Sequence, residues 1–198
     1  MKPKKIYILL GHPNADPTLS REIADVYERE AKMAGHEVRR ANISDLQFDP
    51  ILHKGYRAIQ ELEPDLKKLQ EDVTWCEHFV LVFPLWWSSV PALLKGLIDR
   101  AWLPRFAFSF IKTPDGKSTM GWRKLLAGRT SRVIVLLKNF AFIEHFLYGD
   151  FLGNITNAVL RFSGFKVRIS KVGNSEALSD GVKKAWIKRI SVLAKKGA

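Results

Sequence analysis

The sequence has little cysteine and no long hydrophobic run. Cys76 is the only cysteine among 198 residues, so no disulfide can form within the chain. No run of 18 or more apolar residues occurs, and the N-terminus lacks the pattern of a secretory signal. These absences predict a soluble, cytoplasmic protein. The histidines show no metal-ligand spacing with one another or with Cys76, so no metal site is predicted.

Acidic residues are also few beside basic ones, with 20 Asp and Glu against 32 Lys and Arg and a net charge of +12. Such a balance predicts attraction to phosphorylated cofactors, nucleic acid or an anionic membrane surface. The basic residues are scattered, and no helix-turn-helix, zinc or RNP signature accompanies them. A solvated basic surface is therefore favoured, and no nucleic-acid partner is predicted.

Short apolar runs alternate with amphipathic segments along the whole chain, which predicts one α/β domain over residues 1–198. The predicted strands are Lys4 to Gly11, Glu37 to Ile43, His78 to Pro84, Arg132 to Leu137 and Lys166 to Val172. The predicted helices start at Thr18, Asp65, Ala92, Asn154 and Gly181. Five alternating strands favour a doubly wound parallel sheet of order 2-1-3-4-5. A ligand crevice is expected beyond the carboxyl ends of the first and third strands.

The first loop of that crevice, Gly11 to Ser20, lacks both a P-loop lysine and a G-x-G-x-x-G fingerprint. Asp16 and Pro17 suit the N-cap and the first position of the following helix. The amides of Thr18, Leu19 and Ser20, two of their hydroxyls and the His12 ring could bind a phosphate group. The alternative is that Thr18 and Ser20 only cap the helix and His12 only completes the turn. Spacing alone leaves both interpretations open.

The second loop, Phe83 to Pro91, contains two adjacent tryptophans, Trp86 and Trp87. Neighbouring side chains cannot both face one core, so at least one indole is expected at the surface or against a ligand. A flat aromatic ring system is the natural ligand at this place. The alternatives are a dimer interface and a lid over the core.

These residues carry a resemblance to a known family. The motifs are Gly11-His12-Pro13 with Thr18-Leu19-Ser20, then FPLWWSSVPALLKGLIDRAW from Phe83 to Trp102, then Phe106-Ala107-Phe108. Together they resemble the NAD(P)H:quinone oxidoreductase family of flavodoxin-like proteins, which includes mammalian quinone reductase and the ancillary subunits of potassium efflux systems. The resemblance implies a flavodoxin-like fold, a flavin cofactor and NAD(P)H as the electron donor.

The resemblance also implies which residues hold the flavin. His12, Thr18, Leu19 and Ser20 match the turn that binds the flavin phosphate or diphosphate. The stretch along the isoalloxazine ring is matched by Pro84, Leu85, Trp86, Trp87 and Ser88. Lys138 and Asn139 lie in the loop after the fourth strand, where this sequence departs from the family pattern. The first turn resembles that of the dinucleotide-binding members, which favours FAD over FMN.

For catalysis, Tyr148 stands where mammalian relatives place a histidine, and His145 is a candidate for the substrate pocket. Lys138 is expected to stabilise negative charge on the reduced flavin, unless it only extends from the strand end into solvent. The resulting hypothesis is a homodimeric enzyme that transfers two electrons to a quinone or a similar small molecule. The alternative is a regulatory subunit of the same fold that contacts a membrane or a transporter.

Overall fold

The computed structural model describes residues 2–198, apart from the side chain of Ser118. A five-stranded sheet has the order β2-β1-β3-β6-β7 with every pair parallel, which confirms the predicted 2-1-3-4-5 order. The strands are β1 Lys5–Leu10, β2 Glu37–Asn42, β3 His78–Pro84, β4 Phe108–Lys112, β5 Ser118–Lys124, β6 Thr130–Leu136 and β7 Lys166–Val172. The helices are α1 Leu19–Met33, α2 Pro64–Trp75, α3 Ala92–Ala101, α4 Ala141–Tyr148, α5 Gly153–Ile155, which continues as the π-helix Thr156–Arg161, and α6 Asp180–Lys196.

Both faces of the sheet are buried because helices cover each of them. Alternate residues of β1 point to opposite sides, as the two-residue period of a strand requires. Tyr7 and Leu9 belong to the core on the side of α2 and α3, whereas Ile6 and Ile8 belong to the core beneath α1 and α6. This explains why the central strands are continuous apolar runs rather than alternating ones.

The aromatic segment between α3 and β6 is ordered as an antiparallel hairpin of β4 and β5, which the sequence analysis treated as a connection. Its turn contains Asp115 and Gly116, and Gly116 has a φ of +83°. The Trp122 ring stacks on Phe162 with centroids 4.5 Å apart, so the hairpin is packed against the helix that follows α5. A D-G pair between two strand-like runs is the usual signal of such a hairpin.

Most predicted strand and helix bounds differ from the structure by one or two residues, and the start of α1 is one example. Thr18, not Asp16, is the N-cap of α1, and the helix begins at Leu19 rather than at Pro17. The backbone amide of Asp16 donates a hydrogen bond to Asn14 Oδ1 at 2.9 Å, so Asp16 belongs to the turn that precedes the helix. The helix α4 was not predicted at all, because it is apolar on most sides and has no capping side chain. Within residues 2–198, no helix is long and apolar enough to cross a bilayer.

Candidate functional site

An open cleft of about 560 Å³ lies at the carboxyl ends of β3 and β6. Predicted site residues that line it are Pro84, Leu85, Trp86, Trp87, Ser88, Lys138, Asn139 and Tyr148. The structure thus brings together two loops that are separated by about fifty positions in the sequence. The cleft lies at the carboxyl edge of the sheet, as in other doubly wound folds, but beyond β3 and β6 rather than beyond β1 and β3 as predicted. The predicted first-loop residues are not among those that line it, namely His12, Thr18, Leu19 and Ser20.

The turn Trp86–Ser89 forms one wall of the cleft. The Trp86 amide donates to the Ser89 carbonyl at 3.0 Å, and the Ser89 amide donates back to the Trp86 carbonyl at 2.9 Å. Between them, Trp87 and Ser88 have φ values of 49° and 55°. A tight hairpin turn with two positive φ values normally contains glycine or asparagine, and each other residue there costs about 1–3 kcal/mol. Strain of this kind is typical of ligand-binding loops.

The same turn has unused binding capacity. The Trp87 side chain is fully exposed, and that of Trp86 is 45% exposed. In the described part of the chain, the amides of Trp87 and Ser88 donate to no acceptor. The wall therefore combines aromatic surface with two free N–H donors, as a planar heteroaromatic ligand requires.

The first loop reaches this wall through His12. Its Nδ1 accepts a hydrogen bond from the Asn14 amide at 3.1 Å, so Nε2 carries the proton of the neutral ring. Partial burial, and secondarily the charge of Arg21, lowers the pKa of His12 below its usual value. The imidazole is therefore neutral near pH 7 and offers one N–H donor.

At the start of α1, the side chains support the capping interpretation of the first loop, whereas the backbone amides support the phosphate-binding one. Thr18 Oγ1 accepts from the Arg21 amide at 3.2 Å, so this side chain caps the helix. Ser20 is only 2% exposed, so its hydroxyl is not accessible to a ligand that approaches from solvent. The amides of Leu19 and Ser20 have no acceptor among residues 2–198. Backbone donors at the positive end of the helix dipole thus remain for a phosphate group.

The opposite wall of the cleft is formed by the loops after β6 and β7. Asn139 Nδ2 donates to Oε1 of the buried Glu144 at 3.0 Å. Glu144, Ser175 and Glu176 also line the cleft and were not predicted. The signal that could have found Ser175 and Glu176 is their position after the last parallel strand, whose carboxyl end faces the same edge. Lys138 Nζ lies 3.9 Å from Glu176 Oε2, and both side chains are largely exposed.

The two predicted catalytic residues are placed differently. Tyr148 lies at the end of α4 and lines the cleft. His145 is on the same helix but is not among the cleft-lining residues. Its Nδ1 lies 3.1 Å from the carbonyl oxygen of Gly149, the residue that ends the helix. The structure therefore brings Tyr148, and not His145, to the cleft.

Comparison with known proteins agrees with this architecture. The sequence model of a family described as having a flavodoxin-like fold matches residues 4–188. An Escherichia coli K12 protein named uncharacterized NAD(P)H oxidoreductase YcaK is 31% identical over 107 residues, 52% of this chain and 54% of that protein. Human ribosyldihydronicotinamide dehydrogenase (quinone) is 29% identical over 151 residues, 72% of this chain and 63% of that protein. The chain thus spans less than two thirds of the length of either relative.

Solved structures share the fold at lower identity. The NAD(P)H:quinone oxidoreductase from Methanothermobacter marburgensis superimposes with a TM-score of 0.79 at 18% identity, covering 98% of each chain. The protein Smu.1420 from Streptococcus mutans UA159 superimposes with a TM-score of 0.75 at 23% identity, covering 96% of this chain and 98% of that one. These likenesses show a common architecture over nearly the whole chain.

Proposed function

The chain belongs to the family with a flavodoxin-like fold, and on that premise we propose that it is a flavin-dependent NAD(P)H oxidoreductase that reduces a quinone or similar small acceptor. The observation that carries the proposal is the cleft between the strained Trp86–Ser89 turn and the loop after β6. The names of the sequence relatives support the same reaction class.

The residues present fit a flavin. Its planar ring system needs aromatic or apolar contact and donors for the ring nitrogens and carbonyls, and the Trp86–Ser89 turn provides both. Its phosphate needs amides and partial positive charge, which the first turn of α1 provides. We propose FAD as the bound form, because the first turn resembles that of the dinucleotide-binding members of the family. FMN is the alternative, because the free amides of Leu19 and Ser20 suit either a diphosphate or a phosphate.

When bound, a flavin would accept hydride from NAD(P)H and pass two electrons to the acceptor. The chain's own contribution is then to orient the rings, limit water access and place charge. Trp86 and Trp87 form the surface on which flat molecules stack. The phenol of Tyr148 is the proposed hydrogen-bond donor to the acceptor oxygen, since it faces the cleft and is not hydrogen-bonded to another described residue.

Lys138 is the proposed source of positive charge at the cleft mouth. Its ammonium group is 74% exposed and lies near a carboxylate, so its effect on the flavin is reduced by solvent and by Glu176. Among the residues that the structure describes, Lys138 is the only Lys or Arg that lines this cleft, which supports the proposal. Because the expected effect of Lys138 on the flavin is small, it should be compared with the effect of removing the charge of Glu176.

We also propose that the enzyme is a cytoplasmic homodimer. The support is the exposed apolar surface of α4, where Phe142, Phe146 and Leu147 are 72%, 87% and 57% exposed. Exposed apolar patches of this kind mark interfaces. Sedimentation of Phe146→Glu beside the unmodified chain tests the dimer: the variant is expected to sediment as a monomer.

The function itself is tested on purified protein. We expect a yellow chromophore that bleaches on addition of NADPH without oxygen and regains its colour on addition of a quinone. Heat release followed by absorption spectroscopy and mass measurement identifies FAD or FMN. Colourless protein that does not bind added flavin would contradict the proposal and favour a regulatory subunit.

A further inference from the structure

Three arginines that have no counter-ion among residues 2–198 lie near the amino-terminal end of the sheet, away from the cleft. Arg132 is on β6, Arg168 is on β7 and Arg189 is on α6. Arg132 and Arg168 are direct partners in the parallel register, so their side chains leave the same face of the sheet. Within residues 2–198, none of the three forms an ion pair. Like charges at directly opposed positions are unfavourable unless an anion lies between them.

Arg132 is the most unusual of the three because it is buried. The residue is 6% exposed, and its Nε is buried without an acceptor. Its one hydrogen bond in the described chain is a long one, from Nη1 to Ser170 Oγ at 3.4 Å. A buried cation without a partner is costly, by several kcal/mol in typical cases. The guanidinium therefore has strong unused capacity to bind an anion.

The groups around Arg132 do not supply a negative charge. The Tyr27 hydroxyl donates to the Ala198 carbonyl oxygen at 3.2 Å. His78 is buried, and desolvation together with nearby cations lowers its pKa to about 3, so it is neutral. Burial lowers the pKa of Arg132, Tyr27 opposes this shift, and the charges of Arg168 and Arg189 lower the pKa further. The charged neighbours of Arg132 in this cluster, Arg168 and Arg189, are both cations.

The cluster is open to solvent and separate from the flavin cleft. Arg168 and Arg189 are exposed, and the Arg189 guanidinium lies over the Trp186 ring at 5.0 Å, which restrains it. Leu136, which lines the cleft, follows Arg132 by four positions on β6. At about 3.3 Å per residue this places the two sites roughly 13 Å apart along the strand.

We propose that Arg132, Arg168 and Arg189 bind a small phosphate or sulfate oxyanion, either free or as the terminal group of a metabolite. Guanidinium groups present paired N–H donors that match the oxygens of such ions. Arg132 forms the floor of the site, and the two exposed arginines form its rim. A divalent anion would neutralise the cluster and satisfy the buried Nε. The site does not depend on whether the cleft binds a flavin.

Calorimetric titration with inorganic phosphate, sulfate and glycerol 3-phosphate at constant ionic strength tests the proposal. The proteins are the unmodified chain, Arg168→Gln, Arg189→Gln and the control Arg123→Gln, which removes an exposed charge from β5. Each rim substitution is expected to weaken phosphate binding by roughly tenfold or more, as loss of a charged hydrogen bond does. The control is expected to bind like the unmodified chain. Tighter binding of glycerol 3-phosphate than of phosphate would identify a phosphomonoester as the ligand.

A second variant separates the site from phosphate bound at α1. In buffer without phosphate or sulfate, Arg132→Met is expected to melt at the same temperature as the unmodified chain or higher, because it removes an unpaired buried cation. It should also lose the rise in melting temperature that phosphate causes in the unmodified chain. Equal effects of phosphate on all the variants, or no binding to the unmodified chain, would overturn the proposal. The exposed rim variants decide the question even if Arg132→Met does not fold.

Discussion

The imidazole of His12 meets the indole of Trp86 edge to face, with ring centroids 5.6 Å apart and planes at 79°. This contact joins the turn after β1 to the turn after β3, although the two are separated by more than seventy residues. An elongated ligand could therefore bind the helix amides at Leu19 with one end and the aromatic wall with the other. The contact places the two loops side by side, although only the second loop lines the cleft.

The strained Trp86–Ser89 turn should gain stability when its residues are made to suit its backbone. The double substitution Trp87→Asn and Ser88→Gly supplies the pair that such turns prefer. Relief of strain at the two positions is expected to stabilise the flavin-free protein by at least about 1 kcal/mol, with a rise in melting temperature of about 2–4 °C for each kcal/mol gained. Loss of the indole is expected to weaken flavin binding by roughly tenfold or more, measured by fluorescence titration.

Arg105 provides the matched control for that experiment. Its φ is 74°, so it has the same left-handed backbone, but it does not line the cleft. Arg105→Asn should raise the melting temperature and leave flavin affinity unchanged. If the turn variant kept full flavin affinity, Trp87 would not be part of the binding wall.

Lys138 and Glu176 should change the flavin reduction potential in opposite directions. Lys138→Met removes a cation that favours the reduced, more negative flavin, so the potential should fall. Glu176→Gln removes the opposing anion, so the potential should rise. Both side chains are exposed, so each shift should be small, about 20 mV for about 1 kcal/mol in a two-electron couple.

Dye-equilibration measurements of the flavin reduction potential in Lys138→Met and Glu176→Gln would test this prediction. The control is Lys166→Met, which removes an exposed lysine at the other end of the sheet. An unchanged potential in Lys138→Met would show that the lysine only extends into solvent. Shifts of the same sign in both cleft variants would indicate a structural effect instead.

The fold was more predictable than the walls of the cleft. The bounds of β3 and β7 were predicted correctly because both are short runs between turn residues, and the sheet order followed from the alternation of strands and helices. The pairing of Trp86 with the loop after β6 was implied by the family resemblance and not by topology, which predicted a crevice between β1 and β3. Topology does not predict the local turn, because the positive φ values of Trp87 and Ser88 contradict residue preference. The turn is closed by the pair of backbone hydrogen bonds between Trp86 and Ser89.

The missed elements have physical causes of a different kind. The α4 sequence, AFIEHFLY, lacks the polar stripe by which a surface helix is recognised. Most of its apolar side chains are nevertheless exposed in the single chain. Glu144 was missed as a cleft residue for the same reason. Glu176 lies in the loop after β7, and hydrophobic periodicity does not predict the path of a loop.

Gly96 on α3 should not tolerate a methyl group. A Cβ at this position would lie 2.5 Å from Pro50 Cβ and 2.6 Å from the Pro50 carbonyl oxygen, so backbone would have to move. Alanine would otherwise favour the helix by up to about 1 kcal/mol. The destabilising clash should outweigh this gain, because the neighbouring fully buried Arg100 holds the Pro50 segment in place by donating a hydrogen bond to the Asp49 carbonyl.

We expect Gly96→Ala to lower the free energy of unfolding by about 1–3 kcal/mol in urea titrations. Gly181→Ala, on α6, is the control, since nothing lies within 4 Å of a Cβ there. It should be neutral or slightly stabilising. Equal stability of Gly96→Ala and the unmodified chain would mean that the segment around Pro50 is not held against α3.

His78 should make the protein less stable in mild acid. Its side chain is 1% exposed, its Nδ1 lies 2.7 Å from Thr130 Oγ1, and desolvation lowers its pKa from 6.5 to about 3. Between these values the unfolded chain binds a proton that the folded chain excludes. The contribution of the neutral ring to stability is therefore complete above pH 6.5 and is lost progressively as the pH falls towards 3.

At pH 5.5 the loss relative to pH 7.5 should be about 1.4 kcal/mol, since one pH unit below the unfolded pKa corresponds to one tenfold factor. Urea unfolding at the two pH values measures it. His78→Gln removes the titrating group and should reduce the pH dependence by that amount, whereas His53→Gln, at an exposed position, should not. A pH dependence that is the same in all three proteins would show that His78 takes up its proton in the folded state as easily as in the unfolded one.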